Sequence, residues 1–382
     1  MRQRRWSRLF ALLAVLGLVL AACSTEDDDP DTSGGDDGGG EESSAPATCQ
    51  GEVGAEPSIE PVGGSDADGT GLSIGMALDI GGIDDDSFNE AANTGLEAAA
   101  TDMGVETQLL EPNEDGSNRA ELLRQLAEGD HDLVIAVGFA FAESLGGTEE
   151  EPGGLAAEFP DVNFAIIDSL VDQPNVTSLL FAEEQGSFLV GAAAALASGT
   201  GKVGYIGGVE TELIQKFQAG YEAGVAEIDP DVEVESQYIT QPPNFDGFAD
   251  PTTAREIADG MYSDEVDVIY HAAGGSGAGL FASAQENDRL AIGVDSNQYQ
   301  AQDEATQPCI LTSMIKRVDT AVYTAIESLA NDELEGGEVT FDLANDGIGY
   351  SLDGGQLDDV TDQLDDLRQQ IIDGDIEVPT TP

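Results

Sequence analysis

The chain has 382 residues, of which 40% are hydrophobic, and its 76 Asp and Glu residues against 13 Lys and Arg give a formal net charge of −63. This hydrophobic content is enough to build a core, so we expect the acidic side chains on the surface. The charge excludes nucleic acid as a partner, because no basic stripe could neutralise phosphates. Such acidity is typical of a protein that works in concentrated salt.

Residues 1–22 are predicted to be a lipoprotein signal peptide. Four arginines precede a short apolar run, which ends in the tetrad LAAC at Leu20–Cys23. The tetrad resembles the lipobox of bacterial lipoproteins, which implies lipidation at Cys23 and a membrane anchor on the extracytoplasmic face. The alternative is a secretory peptide that carries a coincidental cysteine.

Residues 23–71 are predicted to be an acidic disordered tether. They are rich in Asp, Gly, Ser and Pro and hold almost no large apolar side chains, so they cannot bury enough surface to offset the cost of ordering. Cys49 lies in this segment, and the remaining cysteine is Cys309. In an exported protein these two thiols could form a disulfide or could both remain free.

From residue 72 onward, β-branched apolar runs alternate with segments of helical periodicity. The predicted strands are 72–78, 105–111, 132–138, 163–168, 176–181, 202–208, 232–239, 266–273, 291–295 and 309–314. The predicted helical segments are 87–104, 117–129, 184–199, 211–228, 250–262 and 278–287. Strict alternation predicts parallel sheets with helices on both faces, and about ten strands favour two doubly wound lobes over one.

Ligands of doubly wound sheets bind beyond the carboxyl ends of the strands. The residues directly after the predicted strands are Asp84 to Asn89, Gly138, Phe139, Asp168, Lys216, Phe217, Gly274 to Gly279 and Asp295. In the first group, Ser87 and Glu90 have the spacing of a helix capping box. Capping does not account for the aromatic Phe88, which would lie at the mouth of the cleft.

The sequence holds no recognisable catalytic or metal-binding motif. His131 and His271 lack metal-ligand spacing, and no nucleophile elbow, dinucleotide fingerprint, phosphate loop or calcium loop is present. We therefore predict no catalytic residues, no metal and no cofactor.

Several blocks of the sequence resemble the basic membrane protein family. They include GGIDDDSFNEAANTG, NFAIID, KFQAGYEAGV, AAGGSGAGLF, IGVDSNQ and LTSMIK, in the order found in that family. The resemblance spans roughly residues 72–325. The family comprises exported substrate-binding lipoproteins, among them purine nucleoside receptors of ABC transporters.

The resemblance implies a type I periplasmic-binding-protein fold, an α/β architecture of two doubly wound parallel-sheet lobes joined by three crossovers. The N-terminal lobe would hold residues 72–180 and about 297–330, and the C-terminal lobe residues 181–296 and about 331–382. The implied function is capture of a nucleoside and its delivery to the permease and ATPase of an ABC transporter.

The family's motifs also imply the ligand-binding residues. Asp85, Phe88 and Asn89 would lie in the pocket, with Phe88 stacked on one face of a purine and Phe217 on the other. Asp168 would accept hydrogen bonds from the edge of the base.

A second group of residues would contact the ribose. It consists of Gly275, Asp295 and Lys316, and Lys316 is one of three lysines in the whole chain. The unbroken Asp84–Asp86 run departs from the family, which often has a basic or polar residue there. Two alternatives to the receptor are a nucleoside-modifying enzyme on the same scaffold and a ligand-binding surface sensor.

Overall fold

The computed structural model describes residues 45–148 and 152–382. The predicted signal peptide, Cys23 and the first part of the predicted tether lie outside these residues. Both sheets belong to one compact unit of the chain.

The described residues form twelve strands. They are β1 (Ser73–Ala77), β2 (Glu106–Leu110), β3 (Leu133–Ala136), β4 (Asn163–Ile167), β5 (Val176–Phe181), β6 (Lys202–Val209), β7 (Glu233–Thr240), β8 (Val268–Ala272), β9 (Leu290–Asp295), β10 (Ile310–Lys316), β11 (Gly337–Phe341) and β12 (Ile348–Tyr350). All ten predicted strands are confirmed, and β11 and β12 are additional.

The same residues form eleven α-helices. They are α1 (Phe88–Met103), α2 (Arg119–Ala127), α3 (Ala142–Gly146), α4 (Gly154–Glu158), α5 (Glu183–Ala197), α6 (Glu212–Ile228), α7 (Pro251–Ser263), α8 (Gly277–Asn287), α9 (Gln298–Ala301), α10 (Val318–Ala330) and α11 (Thr361–Ile372). Each predicted helical segment overlaps one of these helices, and the ends agree to within two residues.

The strands form two six-stranded sheets. The first has the order β11-β5-β4-β3-β1-β2 and is entirely parallel; the second has the order β12-β10-β9-β8-β6-β7, with only β12 antiparallel to its neighbour. Strands such as β3 and β8 are buried at every residue, as expected where helices cover both faces. We call the first sheet with its helices the N-terminal lobe and the second the C-terminal lobe.

The chain passes between the sheets three times, through β5–α5–β6, β10–α10–β11 and β11–β12. The predicted two-lobe α/β fold with three crossovers is therefore confirmed. Two of the predicted lobe boundaries are wrong. Residues 297–316 belong to the C-terminal lobe because β10 pairs with β9, and β11 belongs to the N-terminal lobe because it pairs with β5. A short apolar run carries no information about which sheet it will join.

Helices α5 and α6 pack at very close range in the C-terminal lobe. A Cβ atom at Gly224 would lie 1.9 Å from the carbonyl oxygen of Phe188, and one at Gly191 would lie 2.2 Å from the carbonyl oxygen of Tyr221. Only glycine permits this backbone approach. The helix that carries Phe217 is thus packed closely against α5, the helix of the first crossover.

Residues 45–71 do not behave as the predicted disordered tether. Cys49 forms a disulfide with Cys309, and several backbone amides of this segment bond to the folded body, for example Ala47 N to Asp267 Oδ2 at 2.9 Å and Gly69 N to Met103 O at 2.8 Å. The segment has too few apolar residues to form a core of its own. It is ordered instead by polar contacts and by one covalent link.

Candidate functional site

The carboxyl ends of the parallel strands of both sheets face one cavity between the lobes. It encloses about 590 Å³ of empty space, including the part open to solvent. Its lining residues are Asp79, Ile80, Asp85, Phe88, Asn89, Gly138, Phe139, Asp168, Leu213, Ile214, Phe217, Phe248, Ala272, Ala273, Gly274, Val294, Asp295 and Lys316.

The structure brings seven of the eight predicted ligand-binding residues together in this lining, and the exception is Gly275. The chain turns sharply after β8, and Gly274, with φ 52°, occupies the lining position. A Cβ atom at Gly275 would lie 3.7 Å from Cβ of Asp85. Gly275 therefore packs against the opposite lobe, beside the cavity wall.

The acidic turn, residues 84–86, begins helix α1 through Asp85. Its carboxylate accepts hydrogen bonds from the amides of Ser87 (3.0 Å), Asn89 (2.9 Å) and Glu90 (3.1 Å). The predicted capping box is wrong, because the Ser87 side chain makes no capping bond. Burial raises the pKa of Asp85, while these hydrogen bonds oppose that shift.

Ser87 instead connects the two lobes. Its hydroxyl donates to Asp295 Oδ2 at 2.8 Å. The carbonyl oxygen of Asp86 accepts hydrogen bonds from Ser296 Oγ at 2.7 Å and from Gln298 Nε2 at 3.1 Å. The acidic turn is therefore a contact between the lobes as well as the start of a helix.

Asn89 is buried and is largely occupied by protein partners. Its amide nitrogen donates to Asp85 Oδ2 (2.9 Å) and Ile80 O (3.3 Å), and its carbonyl oxygen accepts from Asp79 N (2.9 Å). The side chain thus fixes the loop that follows β1. Its neighbour Phe88 is less buried and leaves its ring available at the cavity.

Lys316, at the end of β10, lies at the centre of the charged groups. Its Nζ is 2.5 Å from Asp168 Oδ2 and 3.7 Å from Glu183 Oε1, and its side chain is 1% exposed. Burial disfavours the charged ammonium, but Asp168, Glu183 and Asp295 outweigh that effect and raise the pKa of Lys316. Lys316 is therefore a fixed cation that joins the two lobes.

Aromatic rings surround the same ammonium group. Its Nζ lies 5.0 Å from the ring centroid of Phe88, 4.9 Å from that of Phe181 and 5.6 Å from that of Phe217. These distances are within the range of cation–π attraction. Phe88 and Phe217 come from different lobes, so the cavity has an aromatic side chain on each.

Two carboxylates of the site lie on strained backbone. Asp168, directly after β4, has φ 66°, and Asp295, at the end of β9, has φ 65°. Both values are in the left-handed region, which is uncommon outside glycine and recurs at functional sites. The Oδ1 atom of Asp168 is buried and has no hydrogen-bond partner among the described residues, so it is available to a donor in the cavity.

Burial also raises the pKa of two carboxyl groups near the ammonium. The pKa of Asp295 rises to about 6, although Lys316 and the Ser87 hydroxyl oppose the shift. The pKa of Glu183 rises to about 7, again against the effect of Lys316. Both groups therefore change charge close to neutral pH.

Two aromatic lining residues were not among the predicted ligand-binding residues. Phe139 and Phe248 meet across the lobes with ring centroids 6.4 Å apart. Phe139 was among the residues that follow a predicted strand, but Phe248 lies in an irregular segment after β7 that has no sequence motif.

Asp79 is a further lining residue that was not predicted. Its carboxylate is held by Arg119, whose Nε is 2.6 Å from Asp79 Oδ1.

Two further features bear on the class of site. Within residues 45–148 and 152–382, no group of three or more His, Cys, Asp or Glu side chains is arranged to hold a metal ion. In the same part of the chain, every helix is too short or too polar to cross a membrane.

Comparison with known proteins gives consistent matches. The model of the family described as "ABC transporter substrate-binding protein PnrA-like" matches residues 73–382. The CD4+ T-cell-stimulating antigen of Listeria innocua is 34% identical over 345 residues, which cover 84% of this chain and 91% of that protein. The ABC transporter nucleoside-binding protein BmpA of Lactococcus lactis subsp. cremoris is 31% identical over 333 residues, which cover 81% and 90%.

A solved structure shares the same fold. The solute-binding protein of an ABC transporter system from Aeropyrum pernix superposes with a TM-score of 0.70 at 28% identity. The superposition covers 81% of this chain and 93% of that protein.

Proposed function

Because this chain belongs to the basic membrane protein family of PnrA-like ABC transporter substrate-binding proteins, we propose that it is a receptor that captures a nucleoside between its lobes. It delivers the nucleoside, a purine nucleoside foremost, to the permease and ATPase of an ABC transporter. It is held on the extracytoplasmic face of the membrane by a lipid on Cys23. The nucleoside-binding relative and the LAAC tetrad support these assignments.

One observation carries the choice of ligand. Phe88 and Phe217 come from opposite lobes, and both rings lie close to Lys316, which belongs to a charged cluster with Asp168 and Asp295. A nucleoside has a flat base that offers two π-faces and a ribose rich in hydroxyl groups. An aromatic side chain on each lobe suits the base, and carboxylates beside an ammonium suit the hydroxyls.

The contacts within the cavity support a division of roles. The free Oδ1 of Asp168 accepts a hydrogen bond from the edge of the base. Asp295, oriented by Ser87, and Lys316 bind the ribose. Gly274 lets the backbone approach the ligand, whereas Asp85 and Asn89 mainly hold the wall in shape.

The charge of the cavity favours an uncharged ligand. Asp79, Asp85, Asp168 and Asp295 line it, and Lys316 is the one basic side chain in the lining described. The ammonium is already paired with Asp168, so it is not free to neutralise a phosphate group. We therefore expect nucleosides to bind and nucleotides to be excluded.

A nucleoside panel tests the proposal. Purified protein is titrated calorimetrically with purine and pyrimidine nucleosides, the free bases and a nucleoside monophosphate. Phe88→Ala and Phe217→Ala should each weaken nucleoside binding by about 1 to 3 kcal/mol, the usual worth of a base stacked on an aromatic ring. Phe159→Leu is the matched control, because Phe159 packs beside Arg124 outside the cavity.

The outcomes separate the competing functions. Binding of a nucleoside that is recovered unchanged supports the receptor, whereas steady release of a product identifies a nucleoside-modifying enzyme. Tight binding without stimulation of any ABC ATPase would identify a surface sensor. If both Phe variants bind as tightly as the wild type, the stacking model is wrong.

A further inference from the structure

Residues 45–71 cover the surface of both lobes in succession. The first half, residues 45–58, lies on the C-terminal lobe. There Gly51 N donates to Pro308 O at 3.0 Å, and Gly54 N donates to Gln307 Oε1 at 2.9 Å. This half ends in a firm contact. Both the amide and the hydroxyl of Ser58 donate to the carboxylate of Asp353, at 3.0 and 2.8 Å.

The second half, residues 64–71, lies on the N-terminal lobe. Gly64 N donates to Asp102 Oδ2 at 2.6 Å, at the end of α1, and Ser65 N donates to the Tyr323 hydroxyl at 2.8 Å, on α10. The chain then enters β1 of the same lobe. The segment is therefore a fourth connection between the lobes, in addition to the three crossovers.

The span between the two halves is short. Five residues, 59–63, separate Ser58 from Gly64, and a fully extended chain of this length reaches about 20 Å. If the lobes separate, this span must straighten and then pull on the contacts at its ends. Further opening requires residues 45–58 to leave the surface of the C-terminal lobe.

The disulfide decides how firmly these residues are held. When Cys49 is bonded to Cys309, residues 50–58 are anchored by the disulfide at one end and by the contact of Ser58 with Asp353 at the other. If their noncovalent contacts break, they re-form readily, because the disulfide keeps the segment close to its binding surface. Without it, residues 45–58 are held to the C-terminal lobe by noncovalent contacts alone, mainly polar ones.

We propose that residues 45–71 form a strap that resists separation of the lobes, and that the Cys49–Cys309 disulfide keeps the strap seated on the C-terminal lobe. Oxidised protein favours the closed arrangement even without ligand. Reduction releases residues 45–58 while residues 64–71 stay bound, and the lobes then open further.

Hydrogen exchange and small-angle X-ray scattering of the ligand-free protein test the strap. The oxidised protein is compared with the same protein after reduction by a phosphine and with Cys49→Ser. We expect the amides of residues 50–58 to exchange at least tenfold faster after reduction, and those of residues 64–69 to keep their rates. The radius of gyration should rise.

A matched variant separates strap contacts from general stability. Ser58→Ala removes the hydroxyl contacts to Asp353 and Leu352. It should leave the radius of gyration of oxidised protein nearly unchanged and should increase that of reduced protein beyond the effect of reduction alone.

Three results would overturn the proposal: unchanged exchange in residues 50–58 after reduction, faster exchange there with an unchanged radius of gyration, or equally faster exchange throughout the chain. No ligand is present in this experiment, so its outcome is independent of the nucleoside assignment.

Discussion

Replacing Lys316 by Met tests the electrostatic account of the cavity without any ligand. Met is similar in length and apolar, so it keeps most of the packing and removes the charge. The ammonium lies 2.5 Å from Asp168 Oδ2 and 3.7 Å from Glu183 Oε1, and all three side chains are at most 5% exposed. Removing one partner of a buried pair typically costs about 3 to 5 kcal/mol. We expect Lys316→Met to lower the free energy of unfolding by this amount at pH 8.

The loss should shrink on acidification. Burial already raises the pKa of Glu183 to about 7 and that of Asp295 to about 6, and Lys316 opposes both shifts. Without the ammonium, these pKa values should rise further. A carboxyl group whose pKa is raised in the folded state binds more protons folded than unfolded, so the stability it confers falls as pH rises. The variant should therefore be closest to the wild type near pH 5.5.

Urea denaturation followed by circular dichroism at pH 8 and pH 5.5, at one salt concentration, measures the difference. Lys202→Met is the control, because its ammonium pairs with Glu265 near the surface, where the two side chains are 35% and 78% exposed. Lys202→Met should lower the free energy of unfolding by no more than about 1 kcal/mol at either pH. The electrostatic account of the cavity is wrong if Lys316→Met lowers the free energy of unfolding no more than the control does. It is also wrong if the decrease is the same at both pH values.

Three other predictions concern the site, the helix packing and the charge. Nucleoside affinity should fall as pH drops below about 6, where Asp295 becomes protonated; Asp295→Asn should bind weakly with a flat pH profile in calorimetry and should lose more affinity for ribosides than for free bases. Equal losses for the two ligand types would contradict the ribose assignment. Gly224→Ala should destabilise the protein by about 1 to 3 kcal/mol through overpacking against Phe188 O, whereas Gly260→Ala, with open space around it, should stabilise it by up to about 1 kcal/mol. A similar effect of both changes on the urea midpoint would rule out the close packing. With a net charge of −63, the melting temperature should rise between 0.1 and 2 M KCl; a flat or falling curve would argue against salt adaptation.

The regular elements were predictable because their signal is local. Strands such as β3 are continuous apolar runs, and helices such as α6 have amphipathic periodicity. The pairing of strands is not local, which is why β10 and β11 were assigned to the wrong lobes. The ordered course of residues 45–71 was also beyond sequence reasoning, since its stability comes from polar contacts with residues far along the chain, such as Asp267 and Asp353.

The candidate site was predicted mainly through motifs, and the structure adds what motifs cannot encode. Lys316 could be selected from the sequence, but its contact with Glu183 could not, because nothing local shows that a residue just after β5 will lie beside the end of β10. Ser87 fitted a helix-capping pattern, yet its hydroxyl bonds to Asp295 across the cleft. In both cases the decisive contact joins residues more than 100 positions apart.

The two sheets place matching side chains at matching positions. The first strand of each lobe leads to a helix that carries Phe88 or Phe217. At the carboxyl end of the fourth strand of each lobe lies an aspartate with left-handed backbone, Asp168 directly after β4 and Asp295 at the end of β9. For these two pairs of residues, the two lobes are thus related by approximate symmetry. The symmetry breaks at the fifth strand, which ends in Phe181 in one lobe and in Lys316 in the other. Lys316 thus gives the two lobes different charge at equivalent positions, and it adds to other differences in the lining, such as Asp85 in one lobe and Ile214 in the other. Together these differences favour one orientation of a bound ligand over the opposite one.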